Sequence, residues 1–150
     1  MCHVTVNRHS VTTKILNKQQ VMNAAARLVF SHRKHDHVTP LLEQLHWLKM
    51  EQRIEYKLAV LIYRCLHGLA PPYLTNELMC VSEIGERQCL RSASTYALVP
   101  RTRLLTMGDR AFPVVAARTW NSLPDSVTSA PSLSTFKRHL KTVLFTRSYP

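Results

Sequence analysis

The segment at residues 51–68, EQRIEYKLAVLIYRCLHG, constrains the fold more than any other part of the chain. Gly68 stands where a helix C-terminal cap belongs, and Pro71 and Pro72 forbid continuation of the helix. Apolar residues recur in this segment at helical spacing and form one stripe: Ile54, Leu58, Leu61, Ile62 and Cys65. The segment therefore predicts a core helix, which we expect to be the most buried element.

Two further helices are predicted upstream of this segment. Asn17 followed by Gln20 resembles a capping box, and it predicts a helix that ends near Phe30. Thr39 is expected to cap a short second helix, with Pro40 at its first position. The apolar positions of the first helix, at helical spacing, are Val21, Ala24, Ala25, Leu28 and Val29.

Downstream, proline and small polar residues mark the ends of further helices. Pro72 can start a short helix, and Asp109 can cap a helix that contains Pro113 near its start and is stopped by Pro124. A last helix opens at Ser132. Its apolar face consists of Leu133, Phe136, Leu140, Val143 and Leu144.

The fold class follows from these elements. We expect a mainly α, small helical domain of five or six helices over residues 20–146, preceded by a loose N-terminal arm at residues 1–19 and followed by a tail at residues 147–150. Extended pieces between residues 81 and 107 are too brief for more than a short β-hairpin.

Positive charge is concentrated at the two ends of the chain. The formal net charge is +11, residues 1–35 contain six Lys or Arg and no carboxylate, and residues 126–150 contain four more and again no carboxylate. Such a field favours polyanions, so RNA or DNA is the expected partner.

The sequence lacks the motifs that many enzyme classes require. The three glycines, Gly68, Gly85 and Gly108, are too far apart to build a phosphate-cradling loop, and no nucleophile stands in a G-x-S-x-G context. The three aspartates, Asp36, Asp109 and Asp125, fall at separate helix boundaries rather than in a two-metal cluster. We therefore expect no enzymatic activity, no cofactor and no small-molecule substrate.

Metal binding has a single candidate, the H-x-x-H-x-H pattern of His32, His35 and His37. No cysteine or carboxylate pair completes a known site, so a solvated loop is favoured and a metal-dependent hydrolase is kept only as a minor alternative. The four cysteines likewise follow neither zinc nor disulfide spacing.

The expected location is intracellular, cytoplasmic or nuclear. No apolar segment typical of a secretory signal opens the chain, so we do not expect secretion. The longest apolar stretch, Leu58 to Leu66, is interrupted by Arg64 and is far shorter than the ~20 residues of a membrane span.

Three clusters of basic residues are candidates for nucleic-acid binding, although each could also be an ordinary solvated face. At 100° per residue, the first cluster shares one side of the helix at residues 51–68. The clusters are Arg53, Lys57 and Arg64; Arg101, Arg103 and Arg110 around the turn at Gly108; and Lys137, Arg138 and Lys141 in the last helix. Trp47 and Trp120 could stack on bases, but their neighbouring leucines favour a role in the core.

Seven blocks of sequence, in order and at matching spacing over residues 20–146, point to one known family. They are VMNAAARLVF (21–30), HVTPLLEQLHWL (37–48), RIEYKLAVLIYRCLHGLAPPYL (53–74), LRSA (90–93), VPRTRLLTMGDRAF (99–112), ARTWNSLPDSV (117–127) and SLSTFKRHLKTVLF (132–145). Together they resemble the C-terminal tail of LINE-type non-LTR retrotransposon reverse transcriptases. The resemblance implies a segment that lies downstream of an RNA-directed DNA polymerase domain in the parent protein.

The polymerase's aromatic-Ala-Asp-Asp motif is not present in the chain, so the resemblance carries no catalytic residue over. It implies a catalytically inactive fragment of a mobile-element reverse transcriptase, with an accessory role on template, primer or element RNA and with the upstream polymerase domain as a partner. The alternative hypothesis is a stand-alone helical protein–protein interaction module, whose basic faces only confer solubility.

Overall fold

The computed structural model describes the backbone of residues 8–78 and 111–150, with side chains from Ile15 onward in those ranges. All regular elements in these ranges are helices, which confirms the predicted mainly α fold class. The helices are α1 (Arg8–Val29), α2 (Thr39–Gln44), α3 (Met50–Leu66), α4 (Pro72–Thr75), α5 (Phe112–Asn121), α6 (Asp125–Thr128) and α7 (Leu133–Ser148). The hairpin expected between residues 81 and 107 lies outside the described residues.

The chain divides into two compact units. The terminal unit comprises Met1–Ile54 and Val143–Pro150, and the central unit comprises Glu55–Thr142. Helices α3 and α7 each contribute residues to both units.

The terminal unit has a small aliphatic core where α1 packs against α2. Its buried residues are Met22, Ala26, Leu41 and Leu42, with Phe30, Val38, Leu45, Trp47, Met50 and Tyr149 packed against them. Polar contacts close the periphery of this core, because the Tyr149 hydroxyl donates to the Trp47 carbonyl at 2.6 Å and the Lys49 ammonium donates to the Ser148 carbonyl at 2.9 Å. The connector between α2 and α3 is thereby joined to the C-terminal end of α7.

The central unit has an aromatic core. The ring of Phe136 stacks on Tyr63 with centroids 4.4 Å apart, and it lies 5.9 Å from the ring of Trp120. All three side chains are at most 2% exposed. The Tyr63 hydroxyl donates to the carbonyl of Ala130 at 3.1 Å, so the one polar atom that this tyrosine brings into the core is satisfied.

Helix α1 differs from its prediction at its start. It begins at Arg8 rather than Asn17, so residues 8–19 are helical and the prediction of a loose arm is wrong for them; residues 1–7 lie outside the described residues. Asn17 is an exposed interior position, not a cap. The reason is that no glycine or proline interrupts residues 8–29, and β-branched residues weaken a helix by only a few tenths of a kcal/mol each.

The buried face of α1 also differs from its prediction. Val21, Leu28 and Val29 are 69%, 81% and 61% exposed, whereas the neighbouring Met22 and Ala26 are buried. The inward side of the helix follows the series Ile15, Gln19, Met22, Ala26 and Phe30. The predicted residues therefore do share one apolar face of α1, but α2 covers a different face, the one that contains Met22 and Ala26.

Helix α3 is confirmed, although not as the most buried element. Ile62 and Cys65 of its predicted stripe are buried, Leu58 and Leu61 are half-buried, and Ile54 is 42% exposed. Helix α5 buries four of its ten residues, whereas α3 buries four of its seventeen. Two of the four in α5 are alanines, whose small side chains allow close approach on more than one side of the helix.

The shorter elements agree in part with their predictions. Helix α2 is short and Pro40 lies in its first turn, but the N-cap position is Val38 rather than Thr39. Pro72 starts α4 as predicted, and α5 ends ahead of Pro124. The N-cap position of α5 is Ala111, so the prediction of Asp109 as its cap is wrong, whereas Pro113 lies in the first turn as predicted. The four-residue α6 was not predicted, because it carries no apolar periodicity.

Three helices end in the same left-handed turn. Ser31, His46 and Gly68 have φ angles of 54°, 51° and 67°. In each turn the N–H of that residue donates to the carbonyl three residues earlier, at 2.9–3.2 Å, and the next N–H donates to the carbonyl five residues earlier, at 2.7–2.9 Å. This is the Schellman arrangement, and it confirms the predicted cap at Gly68.

Candidate nucleic-acid interface

The start of α7 is fixed by local hydrogen bonds. Ser132 is the N-cap, because its Oγ accepts a hydrogen bond from the Thr135 N–H at 3.2 Å. The same hydroxyl lies 3.0 Å from the hydroxyls of Ser134 and Thr135. The predicted cap is thereby confirmed, and the register of every later side chain on α7 follows from it.

The apolar face of α7 agrees with its prediction. Phe136, Leu140 and Leu144 are 0% exposed, and Leu133 and Val143 are half-buried. The buried face therefore fixes the orientation of α7 about its own axis.

Lys137, Arg138 and Lys141 are consequently directed to solvent, and all three are exposed. Positions 137 and 141, and positions 138 and 141, are neighbours on a helix surface, with about 5–6 Å between Cβ atoms. None of the three forms an ion pair with another described residue, and no carboxylate follows Asp125 in the chain. We call these three residues the α7 basic face.

The α7 basic face is electrostatically unfavourable for the folded chain by itself. Like charges one turn apart destabilise a helix by about 0.2–0.5 kcal/mol per pair. A bound polyanion would remove that repulsion, and the backbone of a helix held by a buried face is already ordered before phosphates bind to its other side.

Hydroxyl groups precede this face in the chain. The side chains of Ser126, Ser129 and Ser132 are exposed in the segment that leads into α7. His139 Nδ1 lies 3.2 Å from the Ser126 carbonyl oxygen, so α6 is tied to α7 next to the basic residues. Serine hydroxyls supplement Lys and Arg as phosphate contacts in nucleic-acid complexes.

The basic residues of α3 are in different surroundings. Lys57 and Arg64, in the central unit, are exposed and lie two helical turns apart. In the terminal unit, Arg53 is half-buried, and its guanidinium carbon lies 5.9 Å from the centroid of the Trp47 ring. This cation–π contact gives Arg53 a structural role that Lys57 and Arg64 do not have. The third predicted cluster, Arg101, Arg103 and Arg110, lies outside the described residues.

The two tryptophans differ in burial, and only Trp120 is a buried core residue. Trp120 is 2% exposed and its ring lies near that of Phe136, so no base can stack on it. Trp47 is half-buried against the terminal-unit core. The interpretation that favoured the core is confirmed for Trp120.

The histidine pattern at residues 32–37 forms a turn. His32 Nδ1 lies 3.0 Å from Asp36 Oδ2, and the Arg33 N–H donates to the same oxygen at 2.7 Å. These two hydrogen bonds, the backbone one foremost, hold the pKa of Asp36 below its ordinary value. Among the residues whose side chains are described, no group of three or more histidine, cysteine, aspartate and glutamate side chains is arranged to hold a metal ion.

Cys65 is the one cysteine with a described side chain, and it is buried. Burial raises the pKa of its thiol, which disfavours the thiolate that nucleophilic catalysis requires.

Sequence reasoning missed a groove of about 310 Å³ in the terminal unit. It lies between α1, where Ile15 and Leu16 line it, and the start of α3, where Met50 and the preceding Lys49 line it. The Met50 N–H donates to Gln19 Oε1 at 2.7 Å at its edge. The groove depends on contacts between residues about thirty positions apart, for which the local pattern has no signal.

Comparison with protein families, curated proteins and solved structures finds no match for the chain. No helix within residues 8–78 and 111–150 combines the length and the apolar character of a membrane span.

Proposed function

We propose that the chain is an accessory nucleic-acid-binding region that contacts the phosphate backbone through the α7 basic face. One observation carries the proposal: Lys137, Arg138 and Lys141 are exposed, adjacent and without an ion-pair partner among the described residues, on a helix whose opposite face is buried. Backbone contacts of this kind are independent of sequence. The chemistry of recognition is therefore that of a phosphodiester chain, RNA or DNA.

The resemblance of residues 20–146 to the C-terminal tail of LINE-type reverse transcriptases supports the same proposal. In such a parent, this region would hold template, primer or element RNA while an upstream polymerase domain performs the chemistry. We assign no catalytic role to the chain. Its part in the parent is binding and positioning, and α7 supplies the charges.

The contacts that each basic residue can make differ in geometry. The guanidinium of Arg138 can donate two parallel hydrogen bonds to one phosphate, whereas the ammonium groups of Lys137 and Lys141 act as point charges. Lys57 and Arg64 on α3 are a second exposed pair that can add phosphate contacts. Arg53 is the weakest member of the predicted set because it is held against Trp47.

The proposal is tested by binding to a fluorescein-labelled single-stranded RNA, followed by fluorescence anisotropy at about 50 mM salt. The test variant is the triple substitution Lys137→Gln, Arg138→Gln, Lys141→Gln. The matched control is Lys18→Gln, Arg33→Gln, Lys34→Gln, which removes the same charge from exposed positions of the terminal unit.

The α7 triple variant is expected to bind at least about tenfold more weakly than the wild type, while the control loses no more than about threefold. Equal losses in the two variants would mean that only total charge matters, and the α7 basic face would then have no particular role. No RNA binding by the wild-type chain would reject the proposal. Repeating the titration with double-stranded DNA distinguishes the preferred polymer.

The alternative function, a helical protein-interaction module, is favoured by a different observation, the exposed apolar face of α1. Binding to that apolar face requires no nucleic acid, and its affinity should depend less on salt than the affinity for phosphates does. The two functions are therefore separable.

A further inference from the structure

Helix α1 exposes an apolar face that the terminal unit does not use. Val21, Ala24 and Leu28 are exposed at spacings of three and four residues, and Val29 lies at the edge of the same face. Leu28 is 81% exposed, the highest exposed fraction among the large apolar residues of the described part of the chain. We call these four residues the α1 outer face.

The α1 outer face is held in place by the opposite side of the same helix. Met22 and Ala26 are in the core with α2, and the Gln19 amide oxygen accepts the Met50 N–H at 2.7 Å. The helix therefore presents a preformed surface, so binding a partner costs no further backbone entropy in α1. Val21, Ala24 and Leu28 follow the a, d, a spacing by which a helix packs lengthwise on a second helix.

Charge decides what kind of helix fits this surface. Lys18 and Arg27 occupy the positions that flank an a/d seam, and residues 1–35 contain no carboxylate. The Arg27 guanidinium donates to the Asp36 carbonyl at 3.1 Å, and the Asp36 carboxylate is already held by His32 and the Arg33 N–H. A second copy of α1 would bring cations and no carboxylate to the seam, so it could form no opposite-charge pair across it.

We propose that the α1 outer face docks an amphipathic helix of another protein, about three turns long, with apolar residues along its seam and glutamate or aspartate at its flanking positions. The apolar residues supply the affinity, because Val21 and Leu28 become buried against the partner. The acidic flanks supply the selectivity, because they meet Lys18 and Arg27. This surface is separate in sequence from the α7 basic face. The proposal does not rest on phosphate binding; it gives the alternative function, a protein-interaction module, a partner of stated chemistry.

The test uses two synthetic helical peptides of about three heptads, with leucine at every a and d position. One peptide carries glutamate at the e and g positions, and the other carries lysine there. Fluorescence anisotropy with the labelled peptides measures binding to the full chain. The acidic peptide is expected to bind at least about tenfold more tightly than the basic one.

Neutral substitutions separate the apolar contact from general attraction to a basic protein. The double variant Val21→Ser, Leu28→Ser is expected to lose more than about tenfold in affinity for the acidic peptide, because both residues become buried in the complex. The control Leu69→Ser, Tyr73→Ser removes two exposed apolar side chains from the central unit and should bind like the wild type. Helical content from circular dichroism should be the same in all three proteins, because every substituted residue is exposed.

Three results would overturn the proposal. The first is equal binding of the two peptides or no binding of either, and the second is unchanged affinity in the Val21→Ser, Leu28→Ser variant. The third is a wild-type dimer in sedimentation equilibrium that this double variant abolishes, because the occupant would then be a second copy of the chain.

Discussion

Helices α1 and α7 are both long, amphipathic and basic, yet the apolar face predicted for α7 is buried and the one predicted for α1 is exposed. In α7 the face formed by Phe136, Leu140 and Leu144 is completely buried, and the basic residues point to solvent. In α1 the face that contains Val21 and Leu28 is exposed, and a second face is buried instead. Helical spacing reveals which residues share a face, whereas burial depends on which neighbour reaches that face.

The two helices differ in the neighbours that their apolar residues meet. Phe136 of α7 stacks with Tyr63 at 4.4 Å and lies 5.9 Å from Trp120, so large rings cover it on two sides. Helix α1 is followed by a short connector to α2, which packs where the small Ala26 allows close approach. The face of α1 that contains Val21 and Leu28 is left exposed.

The most severe test of this contrast compares alanine substitutions on the two apolar faces. Phe136→Ala is expected to destabilise the chain by about 3–5 kcal/mol, because it removes a buried ring and leaves a cavity. Leu28→Ala should change stability by no more than about 0.5 kcal/mol, because the side chain is already in water. Urea denaturation followed by circular dichroism measures both. A comparable loss in the two variants would mean that the α1 outer face is covered in solution.

A second test compares the two predicted helix starts. Ser132→Ala is expected to cost about 1 kcal/mol, because it removes the cap of α7, whereas Ser132→Asp should retain it. Asn17→Ala should be neutral or stabilising by about 0.5 kcal/mol, because Asn17 lies inside α1, where alanine is the better helix former. Equilibrium unfolding of the three variants checks this. A loss for Asn17→Ala as large as that for Ser132→Ala would restore a helix that begins at Asn17.

The ends of α1 and α3 permit a third comparison, since both close in a left-handed turn. Gly68→Ala should destabilise the chain by about 1 kcal/mol through backbone conformation, because no atom lies within 4 Å of the added Cβ. Ser31→Gly should stabilise it by about 0.5–1 kcal/mol for the reciprocal reason. Thermal melts give the sign of each change. A destabilising Ser31→Gly would contradict the left-handed turn at the end of α1.

The smallest expected effect concerns Asp36, in the connector after α1. Its folded pKa lies below the ordinary 3.8, so its contribution to stability is present above that value and is lost as the pH falls through the folded pKa. Asp36→Asn should therefore lower the urea midpoint slightly at pH 7, and the difference should vanish in more acidic solution. A difference that grew on acidification would contradict the sign of this shift.

Local signals in the sequence were sufficient for much of the fold. Ser132, Gly68 and Pro72 each end or begin a helix as predicted, because capping and proline geometry act within a few residues. The apolar face of α7 was also predicted from a local signal, because its apolar residues recur at helical spacing along one side of the helix.

The remaining features have no recognisable local signal in the sequence. Nothing near Ser31 or His46 distinguishes them as left-handed positions, since such turns usually carry glycine. The hydrogen bond from Tyr63 to Ala130 and the groove between α1 and α3 arise only after the chain has folded. The candidate site followed the same rule, since Lys137, Arg138 and Lys141 were predicted from local pattern, whereas the placement of Arg53 on Trp47 was not.

The most direct test of the central proposal is the salt dependence of RNA binding by the wild type and by the Lys137→Gln, Arg138→Gln, Lys141→Gln variant. Each phosphate that a basic residue neutralises adds about 0.7 to the slope of log affinity against log salt for a single strand, so three lost contacts should reduce the slope by about 2. The unfolding free energies of the two proteins should remain within about 0.5 kcal/mol of each other, because all three residues are exposed. An unchanged slope, in a variant that is still folded, would contradict the assignment of phosphate binding to the α7 basic face.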